Sequence, residues 1–331
     1  MKREDFNTLP PPVAAFLRYH DNLSHSKLTT ANYANDLRLY FRYLAERHGL
    51  IPADLPPDAW EDIDLSAIGD SFLKGITLEE TADFLAHCFY ERDNNPRTRA
   101  RKVVTIRRFF HYLTVNRHLL ENNPMEELVS PKIGKTLPKY LSVEECRTLL
   151  GAVEGSFPER DSCILILFLN CGLRLSELCA LNLRDIRHDE HILQIRGKGN
   201  KERTVHLNGA CMAAIRRYLR VRPQDRVAQE DRDALFISRN NRRINQRSVQ
   251  LMLEKLLEKT GLDGRGYSIH KLRHTAATLM YQNDVDVMQL KEILGHENLA
   301  TTEIYTHVTT QQLRDAMDAN PLSDYGTSQE D

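Results

Sequence analysis

Three things are scarce in this 331-residue chain: paired cysteines, long apolar runs and any excess of one charge. The six cysteines (Cys88, Cys146, Cys163, Cys171, Cys179, Cys211) form no CxxC pair, which removes the usual signature of a dithiol or zinc-ribbon site. Cys163, Cys171 and Cys179 fall in or beside one apolar run and read as small buried hydrophobes. That run, residues 163–169, is far short of the roughly 20 residues a bilayer-spanning helix needs. The opening residues 1–12 are polar and proline-rich, unlike a secretory leader. Unpaired thiols and no leader point to the cytoplasm, with no membrane partner. No Asp/Glu cluster stands at metal-ligand spacing, so neither a metal nor another cofactor is expected. There is no internal repeat, and no strand-like alternation before about residue 185.

A net charge of −1 does not announce a polyanionic partner, so the distribution matters more than the sum. Acidic side chains crowd residues 54–93, including Asp58, Glu61, Asp62, Asp64, Asp70, Glu79, Glu80 and Asp83. Basic ones crowd residues 97–108, 216–226 and 239–247. Near-neutrality therefore hides separate basic patches. A hydrophobic content of 41% with 27% charged residues suits a core-forming soluble protein.

Residues 1–128 read as a helical bundle of four or so helices. Val13, Phe16 and Leu17 open one amphipathic segment. Tyr33, Leu37, Tyr40 and Leu44 follow at i, i+4, i+7 and i+11. Thr77 and Glu80 form a capping box, and Val103, Ile106, Phe110 and Leu113 mark a helix that Asn122-Asn123-Pro124 is expected to end. A linker is placed at residues 129–139, and a second capping box, Ser142 with Glu145, opens a domain spanning 140–322. That domain reads as mixed: a buried helix over 161–169, a hairpin from 191–196 and 204–207 around a glycine-rich tip, then helices over 210–221, 246–257, 270–281, 285–294 and 300–308. Residues 323–331 form a polar tail expected to be disordered. The fold class is mainly α with a small β-sheet.

Four short patterns in the second domain carry chemistry. Arg174 lies in Gly-Leu-Arg-Leu-Ser-Glu, just after the buried helix. Lys198 sits on the hairpin tip. His270 and Arg273 of His-Lys-Leu-Arg-His share a helix face at i, i+3. Leu-Gly-His ends at His296, and Tyr305 follows nine positions later. Singly, each is ordinary: a solvated arginine, an exposed lysine, a helix surface, a partly buried tyrosine. His270 and His274 are spaced like the histidines of HExxH, but Lys271 replaces the general base that a zinc hydrolase requires.

The ordered set Arg…Lys…HxxR…GH…Tyr resembles the active site of the tyrosine recombinase/integrase family. GLRLSEL, GKGNKER, HKLRHTAAT and LGHENLATTEIYTH all match its motif context over roughly residues 139–320. The helical first part, with TIRRFFHYL near its end, is similar to the family's core-binding domain, and the two-domain layout looks most like the short Xer-type recombinases. The resemblance implies site-specific cleavage and rejoining of DNA through a 3′-phosphotyrosine on Tyr305, with catalytic Arg174, Lys198, His270, Arg273 and His296, and with Glu177 orienting Arg174 or His270. Elementary chemistry agrees. A planar guanidinium grips two phosphate oxygens and stays charged, whereas a lysine can release a proton to the leaving 5′ oxygen. The covalent intermediate retains the phosphodiester energy, so neither ATP nor a metal is required.

The implied partner is double-stranded DNA, at the nucleoid. Candidate DNA contacts are Arg97, Arg99, Arg101, Lys102, Arg107 and Arg108 in the first domain, and Arg242, Arg243 and Arg247 in the second; such side chains mostly neutralise phosphates. Exchange between two duplexes implies a homo- or hetero-tetramer, with participation of a second recombinase or a DNA translocase left open. Leu313 and Met317 could pack on a neighbouring protomer or on their own domain. A type IB topoisomerase-like enzyme, a non-catalytic DNA-binding regulator and a zinc-dependent hydrolase are the alternatives.

Overall fold

The structure, a computed structural model, describes residues 6–23, 27–52, 63–134, 139–196 and 202–295. The chain divides into two compact units, Met1–Lys135 and Thr136–Asp331. The architecture is mainly helical with one small sheet, as the periodicity indicates.

The first unit contains α1 (Pro11–Asn22), α2 (Lys27–Arg47), α3 (Asp70–Gly75), α4 (Leu78–Tyr90) and α5 (Pro96–His111). Prolines in the first turns of α1 and α5 supply the helical φ and give up an amide with no partner there. The Thr77–Glu80 capping box opens α4, and the Asn95 side chain caps α5. Phe16, Leu37, Tyr40, Phe41, Phe84, Phe109 and Phe110 meet in the core with no exposed surface. Tyr40 brings a hydroxyl into that core, and Thr81 Oγ1 satisfies it at 2.6 Å.

The helix expected to run towards Asn122 ends earlier. Beyond His111 the backbone widens into a π turn, Tyr112–Asn116, closed by Arg117 N donating to Tyr112 O at 3.0 Å. The Thr114 hydroxyl donates back to Phe110 O at 2.9 Å, a competing bond that loosens the ordinary helical ladder. His118 then adopts a φ of 51°, which takes the chain out of the helix.

The second unit contains α6 (Val143–Gly151), α7 (Pro158–Cys171), α8 (Leu175–Ala180), β1 (Ile186–Arg187), β2 (Ile192–Arg196), β3 (Glu202–His206), α9 (Gly209–Val221), α10 (Gln246–Lys259), α11 (Ile269–Gln282) and α12 (Val287–Leu294). Helix α7 is central, packed by α9 and α11. Its Leu165, Leu167 and Phe168 are fully buried, and each large apolar side chain so buried contributes about 1.5–3 kcal/mol. The Ser142–Glu145 capping box opens α6, and Leu141 N donates to Thr275 Oγ1 of α11 at 3.0 Å.

The sheet runs antiparallel in the order β1-β2-β3; β1, two residues long, carries too little pattern to be seen in the sequence. Leu193 pairs with Val205 and Ile195 with Arg203. Leu193, Ile195 and Val205 are buried, so the period of two places Arg203 on the core-facing side.

Candidate active site

Arg174 owes its position to a sharp stop. Gly172 ends α7 with φ 58° and its N–H bonded to Phe168 O at 3.1 Å, a left-handed turn that suits glycine. Leu173 is buried, Arg174 is extended, and α8 starts one residue later. Glu177, in the first turn of α8, folds back on it. Its Oε2 accepts from Arg174 N at 2.8 Å and its Oε1 from Arg174 Nη1 at 2.7 Å.

Glu177 also accepts from Arg203, at Oε1 from Nη1 (2.6 Å) and at Oε2 from Nη2 (2.8 Å). Burial pushes the Glu177 carboxyl up. Hydrogen bonds from the Arg203 side chain and Arg174 N, with the nearby guanidinium charges, outweigh it and hold the pKa at about 2. The carboxylate is therefore ionised throughout the neutral range.

On α11, Arg273 is only 3% exposed. It donates from Nη1 to Gly172 O at 2.6 Å and from Nη2 to Leu294 O at 2.7 Å. His270, one turn earlier, places Nε2 at 3.0 Å from His274 Nε2, so one ring donates to the other and Nδ1 of His270 stands apart from that contact. Desolvation, then the charges of Arg273, Lys271 and Arg174, lower the His270 pKa. The ring is kept neutral at neutral pH.

Three arginines converge on the end of α12. Arg203 Nε donates to Ile293 O (3.2 Å), Arg273 Nη2 to Leu294 O (2.7 Å) and Arg174 Nη2 to Gly295 O (3.0 Å). The last carbonyls of a helix lack intrahelical donors and carry its negative dipole end, so cations are stabilising there. Gly295 has φ 64°, and His296 follows it directly in sequence. Lys198, His296 and Tyr305 lie outside the described residues, as does the helix expected over 300–308.

A family model described as the phage integrase family matches residues 139–312, and a tyrosine recombinase XerC of Caldanaerobacter subterraneus subsp. tengcongensis is 45% identical over 316 residues, covering 95% of this chain and 88% of that protein. This chain belongs to the tyrosine recombinase family. A second XerC, from Alcanivorax borkumensis, is 36% identical over 302 residues, 90% of this chain and 95% of that protein, and with the first marks the recombinase as Xer-type. The structure of XerH site-specific recombinase bound to difH substrate is 25% identical, with a TM-score of 0.67 over 88% of this chain and 79% of that one. That of a lambda integrase(75-356) dimer bound to a COC′ core site shares the fold, at 17% identity and TM-score 0.65 over 88% and 95%. The recombinase is thus a site-specific DNA strand-cleaving and rejoining enzyme; the topoisomerase and non-catalytic readings are not favoured.

The recombinase's candidate DNA contacts divide by their neighbours. Arg97 and Arg107 are exposed on α5. Arg108 is exposed too and donates to Tyr33 OH at 2.9 Å, while Arg99 stacks over the Phe89 ring at 4.5 Å. Lys102 departs from its expected role: it is 5% exposed, and its ammonium bonds Asp36 Oδ1 at 3.1 Å. Arg101 and Thr105 bond the same carboxylate. A cation buried on an acidic partner is committed to the fold.

Arg243 is half-buried and donates to Cys179 O, Leu181 O and Asn182 Oδ1 at 3.2, 3.0 and 2.7 Å. Arg242 and Arg247 are exposed and ion-paired with Glu230 and Glu254, so a phosphate would have to displace a carboxylate.

Arg203 escaped sequence reading. Its signal was the register: in Glu-Arg-Thr-Val-His-Leu the arginine shares a face with Val205 and Leu207. An arginine in an inward strand position requires a carboxylate.

Among the described residues no group of three His, Cys, Asp or Glu is placed to hold a metal, and no helix is long and apolar enough to cross a membrane.

Proposed function

We propose that Tyr305 attacks a DNA phosphodiester while Arg174 and Arg273 hold its non-bridging oxygens. The Tyr305 oxygen forms a bond to phosphorus, and the bond to the 5′ oxygen breaks. Lys198 gives that oxygen a proton, leaving a free 5′ hydroxyl and a 3′-phosphotyrosine. Neutral His270 accepts the tyrosine proton or bonds the phosphate, and His296 donates to a non-bridging oxygen. Two guanidinium groups offset the charge that develops on the pentacoordinate phosphorus. Reversal with a new 5′ hydroxyl rejoins the strand and needs neither ATP nor a metal.

The observation that carries this reading is the convergence at the end of α12. Residues 174, 273 and 294–295, far apart in sequence, are tied together directly before His296. Glu177 orients Arg174 without touching the substrate.

Double-stranded DNA is the partner, in keeping with the XerH site-specific recombinase bound to its difH substrate. Residues 1–128 serve as the core-binding domain and 140–322 as the catalytic domain, joined by 129–139, with 323–331 as a tail. Arg97, Arg99, Arg101, Arg107 and Arg108 face the DNA backbone, with Arg242 and Arg247 as further phosphate contacts. Four protomers bring two duplexes together, as a homo- or hetero-tetramer, at the nucleoid in the cytoplasm.

Sequencing DNA covalently captured by the protein identifies the site, and plasmids carrying two copies of it test the function. The wild-type protein recombines them and leaves a supercoiled plasmid lacking the site untouched; Arg174→Ala and Arg273→Ala lose recombination. Relaxation of the siteless plasmid would establish a topoisomerase instead.

A further inference from the structure

Among the described residues, Arg203 is the arginine at the end of α12 that the proposed chemistry leaves without a task. It lies on the inward face of β3, opposite Ile195, and its side chain is 13% exposed. Among the described residues, its side-chain contacts lead to the site. Nη1 and Nη2 grip both oxygens of Glu177, and Nε holds Ile293 O. Gly295 is shaped to it as well. A Cβ there would stand 2.8 Å from Arg203 Cδ, closer than atoms pack, and 3.2 Å from its Nε and Nη1, a tight contact.

Glu177 Oε1 is shared, accepting from Arg174 Nη1 and Arg203 Nη1 together. A carboxylate paired with Arg174 alone would cancel its charge and hold it fast. Two guanidiniums on one carboxylate retain one net positive charge, and the fork from β3 fixes the carboxylate's plane.

We propose that Arg203 is a positioning residue for strand cleavage: it fixes Glu177 so that Arg174 is aimed and left charged for the scissile phosphate, and it anchors the end of α12 to the same unit. The inference rests on the reading of Arg174 as a phosphate ligand. Arg203 itself does not touch the DNA. A lysine could keep the charge, but its donors radiate from a single nitrogen and cannot span both carboxylate oxygens and Ile293 O as the three guanidinium nitrogens do.

Single-turnover cleavage of a nicked duplex tests this with two substrates. One carries the natural phosphodiester at the scissile position; the other carries a methylphosphonate there, with one anionic oxygen fewer to be gripped. The variants are Arg203→Ala, Arg203→Lys and Arg174→Ala, with DNA affinity and thermal midpoint recorded for each.

We expect Arg203→Ala to slow phosphodiester cleavage by roughly 10–100-fold, the scale of a misaligned catalytic group, with DNA affinity nearly unchanged. Arg203→Lys should fall between. Both defects should narrow on the methylphosphonate, in parallel with Arg174→Ala. An equal loss on both substrates, or wild-type cleavage by Arg203→Ala, overturns the proposal. If Arg203→Ala does not fold, the substrate ratio of Arg203→Lys decides: narrowing supports the proposal, an equal loss or none overturns it. Unimpaired cleavage by Arg174→Ala would sink the active-site reading itself, a result distinguishable from failure of Arg203 alone.

Discussion

Arg273 donates from Nη1 to the carbonyl oxygen of Gly172 at 2.6 Å, a buried bond between residues 101 positions apart. It locks the stop of α7 to α11, so the turn that presents Arg174 and the helix that carries His270 and Arg273 move as one piece.

Gly172→Ala tests that lock. A Cβ at this position would stand 2.6 Å from Leu294 Cδ2, and the φ of 58° strains any side chain. Strain and overpacking together should cost about 2–4 kcal/mol, read from urea unfolding, and cleavage should fall with it. A variant of unchanged stability and rate would show that the turn is not constrained as described.

Acid stability should report on Glu177. Its folded pKa is depressed from 4.5 to about 2, so its contribution is fully present above pH 4.5 and is lost as pH falls towards 2. A depression of that size is worth about 3 kcal/mol. Glu177→Gln should therefore be less stable than wild type at pH 7, and the gap should close between pH 4.5 and pH 2. Urea titrations at several pH values measure it; a gap constant over that interval would deny Glu177 its ion-paired state.

Lys198 is assigned to protonate the leaving oxygen, and its replacement has a chemical rescue. Lys198→Ala should slow cleavage by about 10²–10⁴-fold, the range for loss of a general acid. A 5′-phosphorothiolate substrate, whose sulfur leaves without a proton, should restore most of the rate. No rescue would remove Lys198 from that role.

What the sequence disclosed and what it hid separate along one line: local against distant partners. The capping boxes at Thr77 and Ser142 depend on residues three positions apart, and both are present. The hairpin declared itself by alternation, and the order of the motifs brings Arg174, His270 and Arg273 forward as candidates. The burial of Lys102 is not visible locally because its partner, Asp36, lies 66 positions away, and a run of arginines and lysines reads as one basic face until the acid that pairs with one of them is seen. Arg203 was overlooked for a related reason. A strand arginine is ordinarily solvated, and only the pairing of β3 with β2 reveals that it faces Glu177.

The central claim is that Tyr305 becomes covalently joined to DNA. The direct measurement is incubation of the protein with a nicked suicide duplex carrying its site, followed by denaturing electrophoresis of the labelled strand. Wild-type protein should yield a protein–DNA adduct through a 3′-phosphotyrosine, and Tyr305→Phe should yield none. An adduct of equal amount with the Phe variant would mean that another nucleophile attacks the phosphate, with Tyr281 and Tyr325 the next to test.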